Sequence, residues 1–279
     1  MNADFHCHST ASDGTLSPTL LARRAADRGV THWALTDHDV LRGLEEAAAA
    51  ARACGIVFVP GVEISVTWRG QTIHIVGLGI DPANEALVAG VAATRGSRQG
   101  RAAEMARRLD HLGMPGSLQG AYALAEDPDL IGRTHFARYL LAQGHVRNLN
   151  EVFDRFLGDG KPAYVPQQWA DLADAVGWIT GAGGVAVIAH PGRYRLSPSA
   201  MDELIVEFRS AGGIGIEVVT GSHDPSQYAH YGALARHHGL KASRGSDFHG
   251  PQESRTDLGA LPALPSELDP IWSVLAGCH

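Results

Sequence analysis

Short apolar runs that close on histidine or a carboxylate, spaced by stretches with helical periodicity, constrain this chain more than any other feature. Residues 3–7, 32–36 and 56–62 read as strands. Between them, 17–29 and 43–54 read as helices, with Ser17 as cap, Pro18 at the first helical position and Gly29 as a stop signal. This is the βαβ rhythm of a parallel sheet or barrel. Residues 66–79 read as a hairpin turning at Arg69-Gly70-Gln71, and Pro82 to about Lys161 reads as a helical insertion without strand-like runs. The alternation then resumes: helices at 171–181, 199–211 and 226–238, strands at 185–189, 215–219 and 241–246, and a proline-rich tail at 261–270.

Composition excludes several functions. The 23 Lys and Arg against 30 Asp and Glu give a net charge of −7, which disfavours a long nucleic-acid or anionic-membrane surface. The first residues lack the basic flank and apolar stretch of a signal peptide, and no run approaches the roughly 18 apolar residues of a membrane span. Cys7, Cys54 and Cys278 are odd in number and widely spaced, so neither a disulfide framework nor a Cys-x-x-Cys site is expected. A cytoplasmic chain with no membrane association and no obligate protein partner is the expectation.

The chemistry gathers at the strand ends. His6 and His8 end the first strand, Asp37, His38 and Asp39 follow the second, and Glu63 ends the third. His74 lies in the hairpin's return strand, His190 closes 185–189, Glu217 closes its strand, and Asp247 and His249 follow the last. In α/β barrels such ends meet in one mouth, so distance in sequence is no objection. The i, i+2 spacing of His6 with His8 and of Asp247 with His249 puts each pair on one strand face, with Cys7 and Phe248 turned away into packing. A single histidine such as His74, between Ile73 and Ile75, is ordinarily a hydrogen-bonded core residue. Imidazoles and carboxylates repeated at strand after strand are not. Mixed nitrogen and oxygen donors suit Zn²⁺, Mn²⁺ or Fe²⁺, and their number exceeds one tetrahedral site, so two or three ions are expected. His111, His145, His230, His237, His238 and His279 lie in helical or terminal stretches and read as surface residues. Gly181-Ala182-Gly183-Gly184 precedes a strand, the wrong order for a dinucleotide loop, and there is no Gly-x-Ser-x-Gly elbow.

Five segments, Asp4-Phe5-His6-Cys7-His8-Ser9 with Ser12-Asp13-Gly14, Thr36-Asp37-His38-Asp39, Pro60-Gly61-Val62-Glu63, Ala189-His190-Pro191-Gly192 and Gly245-Ser246-Asp247-Phe248-His249, resemble the motifs of the PHP (polymerase and histidinol phosphatase) superfamily. Gly132 to Arg138 and Phe153 to Pro166 extend the likeness to its tryptophan-operon-associated phosphoesterase branch. The resemblance implies a distorted seven-stranded (β/α) barrel, residues 1–81 and 162–279, with a helical insertion, 82–161, capping the active site. It implies catalytic roles for His6, His8, Asp13, His38, Glu63, Asp247 and His249. His6, His8, Glu63 and Asp247 would hold a first ion, Glu63 would bridge to a second held by His74 and His190, and Asp13, His38 and His249 would hold a third or bind phosphate. Some relatives carry His where this chain has Asp13. Glu217 and Asp37 would orient ligand imidazoles.

The implied activity is hydrolysis of the 3′-phosphate of nucleoside 3′,5′-bisphosphates to a 5′-nucleotide such as AMP and phosphate, with Mn²⁺ or alternatively Zn²⁺ or Fe²⁺. The alternatives are a 5′ to 3′ exonuclease on short oligonucleotides, a non-catalytic PHP module and a histidinol phosphatase. Arg193, beside His190, and Arg133, His135, Arg147 and Asn148 in the insertion are candidate substrate contacts, because guanidinium forks grip phosphate through paired bonds. His223 reads as a leaving-group acid or phosphate donor.

Overall fold

The computed structural model describes residues 1–96, 98–125, 127–167 and 169–275. Cys278 and His279 lie outside the described residues. Seven strands form one nearly closed barrel in chain order: β1 (Ala3–Asp4), β2 (His32–Leu35), β3 (Val57–Trp68), β4 (Gln71–Leu78), β5 (Val185–Ile188), β6 (Gly215–Thr220) and β7 (Lys241–Gly245). β1, β2 and β3 are parallel, β4 runs against both neighbours, and β5, β6 and β7 are parallel again. Backbone bonds close the ring: Phe5 N–H donates to Arg244 O at 3.0 Å, Asp247 N–H to His6 O at 2.8 Å and His8 N–H to Phe248 O at 2.9 Å. The buried Arg244 guanidinium adds bonds to Ala3 O and Leu261 O across the same seam.

Helices α1 (Pro18–Asp27) and α2 (Leu44–Cys54) cover the first strands. The Ser17 hydroxyl accepts from Leu20 N at the start of α1, satisfying one of the donors a helix start leaves unpaired. The β3–β4 turn places Arg69 at φ 47° and Gly70 at φ 78°, the pair of positive values that matches a two-residue turn to strand twist.

One sequence expectation needs correction. The third strand does not end at Glu63; it continues to Trp68 and merges with the hairpin's first strand. Val62, Ile64 and Val66 alternate with Glu63 and Ser65, and all three enter the apolar layer beneath the helices. The period of two therefore persists through Glu63, whose charge disguises it.

The chain divides into two compact units, residues 1–92 with 169–275 and residues 93–168. The sequence places the change of rhythm at Pro82; in the structure α3 (Glu85–Arg95) stays largely with the barrel unit, because Leu87 and Val91 are buried in its core. The remainder of the barrel unit is α8 (Leu172–Gly181), α9 (Pro198–Ser210) and α10 (Pro225–His238). The second unit holds α4 (Arg98–His111), α5 (Ser117–Ala123), α6 (Arg133–Ala142) and α7 (Leu149–Val152), packed around Met105, Leu109, Phe136, Leu140 and Val152. Among the described residues, no helix is long and apolar enough to cross a membrane.

Candidate metal centre

Strand parity builds the site. Ala34, Val59, Val76, Leu78, Val187 and Ala189 form an apolar cluster. Counting by twos along the same strands leads to His38, Glu63 and His74. The register extends far enough to bring them together, since His38 forms a bridge with Glu63 and Ser65 faces His74.

The fully buried Glu63 is the hub. Its Oε1 lies 2.9 Å from His74 Nδ1 and 3.0 Å from His190 Nε2, and its Oε2 lies 2.9 Å from His38 Nδ1 and 3.3 Å from both His6 Nε2 and His8 Nε2. Asp247 Oδ1 stands 3.6 Å from His6 Nε2 and 3.3 Å from His8 Nε2. His249 Nε2 and His8 Nδ1 approach Asp13 Oδ1 at 3.5 and 3.8 Å. All the ligands expected from sequence thus fall into four overlapping groups: His6, His8 and Asp247; His6, Glu63 and His190; His38, Glu63 and His74; and His8, Asp13, His38 and His249.

The donor set fits metal ions. The two imidazole nitrogens of His6 and His8 face each other at 3.2 Å, and each lies 3.3 to 3.6 Å from Glu63 Oε2 and Asp247 Oδ1. A tetrahedron of donors about 2.0–2.1 Å from its centre has edges of about 3.3–3.4 Å. His8 Nδ1, His38 Nδ1, Glu63 Oε2, His74 Nδ1 and His190 Nδ1 are buried yet make no hydrogen bond, which buried polar atoms rarely tolerate unless something else satisfies them.

Surrounding carboxylates hold the cage. Glu217 Oε1 pairs with His6 Nδ1 at 2.8 Å, leaving His6 Nε2 for an ion, and Glu217 Oε2 accepts from His190 N at 2.6 Å. Asp37, expected to orient an imidazole, instead accepts from Ser9 N, Ser9 Oγ and Ser12 Oγ; it fixes the loop that carries Asp13. Asp39 and Asp4 were not singled out for this task by sequence. Asp39 accepts from Ser65 N and Oγ, both at 2.9 Å, while its own N–H donates to Glu63 O, so it clamps β3 at the hub and two residues beyond it. Asp4 accepts from Ser246 N at 2.8 Å, just before Asp247. Asp39, His190 and Asp247 have φ of 52°, 26° and 55°, a conformation that non-glycine residues hold only where surroundings impose it.

The charges of the cluster oppose the cost of burying it. Burial opposes the His8 imidazolium, but the carboxylates of Asp247 and Glu63, each 3.3 Å from Nε2, outweigh it and hold its pKa up to about 10. His6 is likewise raised well above 6.5 against its burial by Glu217, Glu63 and Asp247. Burial also opposes the Glu63 carboxylate, yet its interactions with the surrounding imidazoles, His38 and His6 foremost, drive its pKa well below 4.5. Burial brings His74 down to about 4, leaving it neutral. Because His6 and His8 titrate higher folded than unfolded, their stabilisation is complete below about pH 6.5 and fades as pH rises through their raised values, about 10 for His8. Chelator-treated protein should therefore melt at progressively lower temperature from pH 6.5 to 9.5, and the metal-loaded protein should show a shallower slope. Thermal scans of both forms check this; a flat or rising profile for the metal-free form would contradict it.

Arg193 Nη1 lies 2.8 Å from Asp247 Oδ2, beside the cage. His223 is buried, with Nδ1 3.0 Å from Val218 O and Nε2 accepting from Gly192 N at 2.9 Å. With both nitrogens so engaged it has no proton to give a leaving group, which counts against the expected acid role. Within the second unit, Arg133 begins α6 and pairs with Asp159, the buried His135 accepts from Gly132 N through Nδ1, and the Asn148 side chain caps α7 by accepting from Glu151 N. Arg147 is largely exposed and pairs with Glu151. Arg98 and Arg101 are unremarked in the sequence; burial, then the charges of Arg133 and Arg98, lower the Arg101 guanidinium to about 9, against the pull of Tyr164 and Asp159. The sequence signal was the Arg98-x-x-Arg101 spacing on one helical face.

A family model described as "PHP domain" matches residues 4–220. The chain belongs to the PHP-domain family. The PHP chain is 51% identical over 274 residues to a 3′,5′-nucleoside bisphosphate phosphatase of Chromobacterium violaceum, covering 98% of this chain and 96% of the relative. It is 42% identical over 269 residues to a 5′-3′ exoribonuclease of Haemophilus influenzae, covering 96% and 97%. Among solved structures it resembles an amidohydrolase of C. violaceum with bound sulfate and no metal, with a TM-score of 0.95, 50% identity and coverage of 98% and 95%. A protein of Bifidobacterium adolescentis assigned as a metal-dependent phosphoesterase gives a TM-score of 0.83 at 29% identity, covering 98% and 93%. This PHP protein has the fold of metal-dependent phosphoesterases, and it is a hydrolase of that kind.

Proposed function

We propose that this PHP protein removes the 3′-phosphate of nucleoside 3′,5′-bisphosphates, leaving the 5′-nucleotide. The observation that carries the reading is the double use of Asp247, which turns Oδ1 to His6 and His8 and Oδ2 to Arg193. A phosphate-binding cation therefore stands one carboxylate away from the ligand cage, as a substrate with two phosphates requires. The 51% identity to a phosphatase of that specificity supports it.

His6, His8, Glu63 and Asp247 would hold one ion, Glu63 with His74 and His190 a second, and Asp13, His38 and His249 a third, with Mn²⁺, Zn²⁺ or Fe²⁺ as the metal. Bound ions of this kind polarise phosphoryl oxygens and acidify water. The protein's own part is to hold the cage rigid through Glu217, Asp39 and Asp4 and to present Arg193 to the second phosphate.

The exoribonuclease relative makes short RNA the second substrate class, while the net charge of −7 disfavours long nucleic acid. The deciding assay is phosphate release from adenosine 3′,5′-bisphosphate by Mn²⁺-loaded protein, with the nucleotide product identified by mass. AMP retaining its 5′-phosphate is the expected product. No turnover with metal bound, alongside cleavage of a short RNA ladder from its 5′ end, would replace this reading with the exonuclease.

A further inference from the structure

The turn after β5 ties the site to four other parts of the barrel within five residues. His190 Nε2 meets Glu63 of β3 at 3.0 Å, Gly192 N–H donates to His223 Nε2 beyond β6 at 2.9 Å, Arg193 meets Asp247 beyond β7 at 2.8 Å, and the Tyr194 hydroxyl accepts from His74 N of β4 at 2.9 Å. Three of these partners are ligand residues. His223 is the exception.

Its protonation state follows from its neighbours. Val218 O, 3.0 Å from Nδ1, can only accept, so Nδ1 carries a proton. Gly192 N–H can only donate, so Nε2 presents a lone pair. The ring is the neutral Nδ1–H tautomer, and a proton on Nε2 would break its bond to the turn. The fit is close: a Cβ on Gly192 would lie 2.8 Å from the His223 ring and 2.5 Å from the Gln227 amide. The imidazole stacks on Tyr231 at 4.8 Å, and Gln227 belongs to the box that caps α10 with Asp224. α10 and β6 thus immobilise the ring against the turn.

We propose that His223 is a positioning residue that sets the reach of Arg193: by accepting the Gly192 N–H it fixes the turn from which the guanidinium meets Asp247 and the second phosphate. This rests on the reading of Arg193 given above, and the test separates the two. Full-length, metal-loaded wild type, His223→Asn, His223→Gln and Arg193→Ala are compared on adenosine 3′,5′-bisphosphate and adenosine 3′-monophosphate, which share a leaving group and differ by the 5′-phosphate. Asn retains an N–H for Val218 O and loses the acceptor for Gly192, whereas Gln can offer an oxygen near the place of Nε2.

The expected result is a rise in KM for the bisphosphate of about 10-fold in His223→Asn and about 30-fold in Arg193→Ala, each several times the rise for the monophosphate, as fits loss of a charge-assisted contact. His223→Gln recovers part of the loss, and the double variant His223→Asn with Arg193→Ala is no worse than Arg193→Ala. If His223→Asn instead lowers kcat equally on both substrates and spares p-nitrophenyl phosphate, His223 is an acid and the proposal is overturned. If Arg193→Ala raises KM equally for both substrates, the second-phosphate reading fails. The ¹⁵N resonances of His223 in zinc-loaded wild type then decide the positioning role by themselves: a bare Nε2 at neutral pH upholds it, and a protonated Nε2 overturns it.

Discussion

Glu63→Gln should lower kcat for phosphate release by about 10³-fold or more and reduce the bound metal by at least one ion per chain, since losing Lewis-acid stabilisation of several kcal/mol costs a factor of ten for each 1.4 kcal/mol. Gln has nearly the shape of Glu, so the packing of a fully buried side chain is conserved. What changes is charge. Both oxygens of Glu63 face imidazole nitrogens, His74 and His190 on one side and His6, His8 and His38 on the other. A carboxylate serves all of them, whereas an amide turns two N–H donors toward one side and cannot ligate there. Metal analysis of the purified variant beside its turnover checks both effects; full metal content with turnover within tenfold of wild type would remove Glu63 from the centre.

Asp247→Asn should lower kcat for the bisphosphate by about 10²- to 10³-fold while the circular dichroism spectrum stays that of the wild type, on the same scale of lost charge stabilisation. The backbone argument makes this substitution clean. Asp247 has φ 55°, and asparagine adopts that left-handed conformation at least as readily, so no strain is added. The bonds that build the turn, Asp247 N–H to His6 O and Ser246 N–H to Asp4, are untouched. The variant loses the charge that faces His6 and His8 and that pairs with Arg193. Asp247→Ala would be a poorer probe, since alanine resists positive φ. Turnover near wild type in Asp247→Asn would place the reaction elsewhere.

The sequence by itself determined which imidazoles and carboxylates gather at the strand ends. His6, His8, His38, His74, His190 and His249 with Glu63 and Asp247 were legible because each follows or interrupts an apolar run where a core would place Val or Leu; Asp13 was legible only through the PHP resemblance, and the structure brings all nine into overlapping groups. The barrel rhythm was legible for a related reason: period-two runs and helix caps are local, and Ser17-Pro18 and Gly29 punctuate α1 as their chemistry requires. The course of β3 was not, because a buried charge at Glu63 imitates a strand end and only pairing with β4 reveals that the strand goes on.

Tertiary structure alone decided which polar groups meet in the cluster and which hold them there. Asp37 and Asp39 flank His38 in one motif, yet one fixes the Ser9–Ser12 loop and the other clamps β3 around Glu63. His223 carries the same imidazole as the ligands, but Val218 O and Gly192 N–H occupy both its nitrogens. Residue type sets what a side chain is able to do, whereas the proton it holds and the partner it meets depend on atoms far away in sequence. Those are fixed only when the barrel closes and burial makes every unpaired polar group costly.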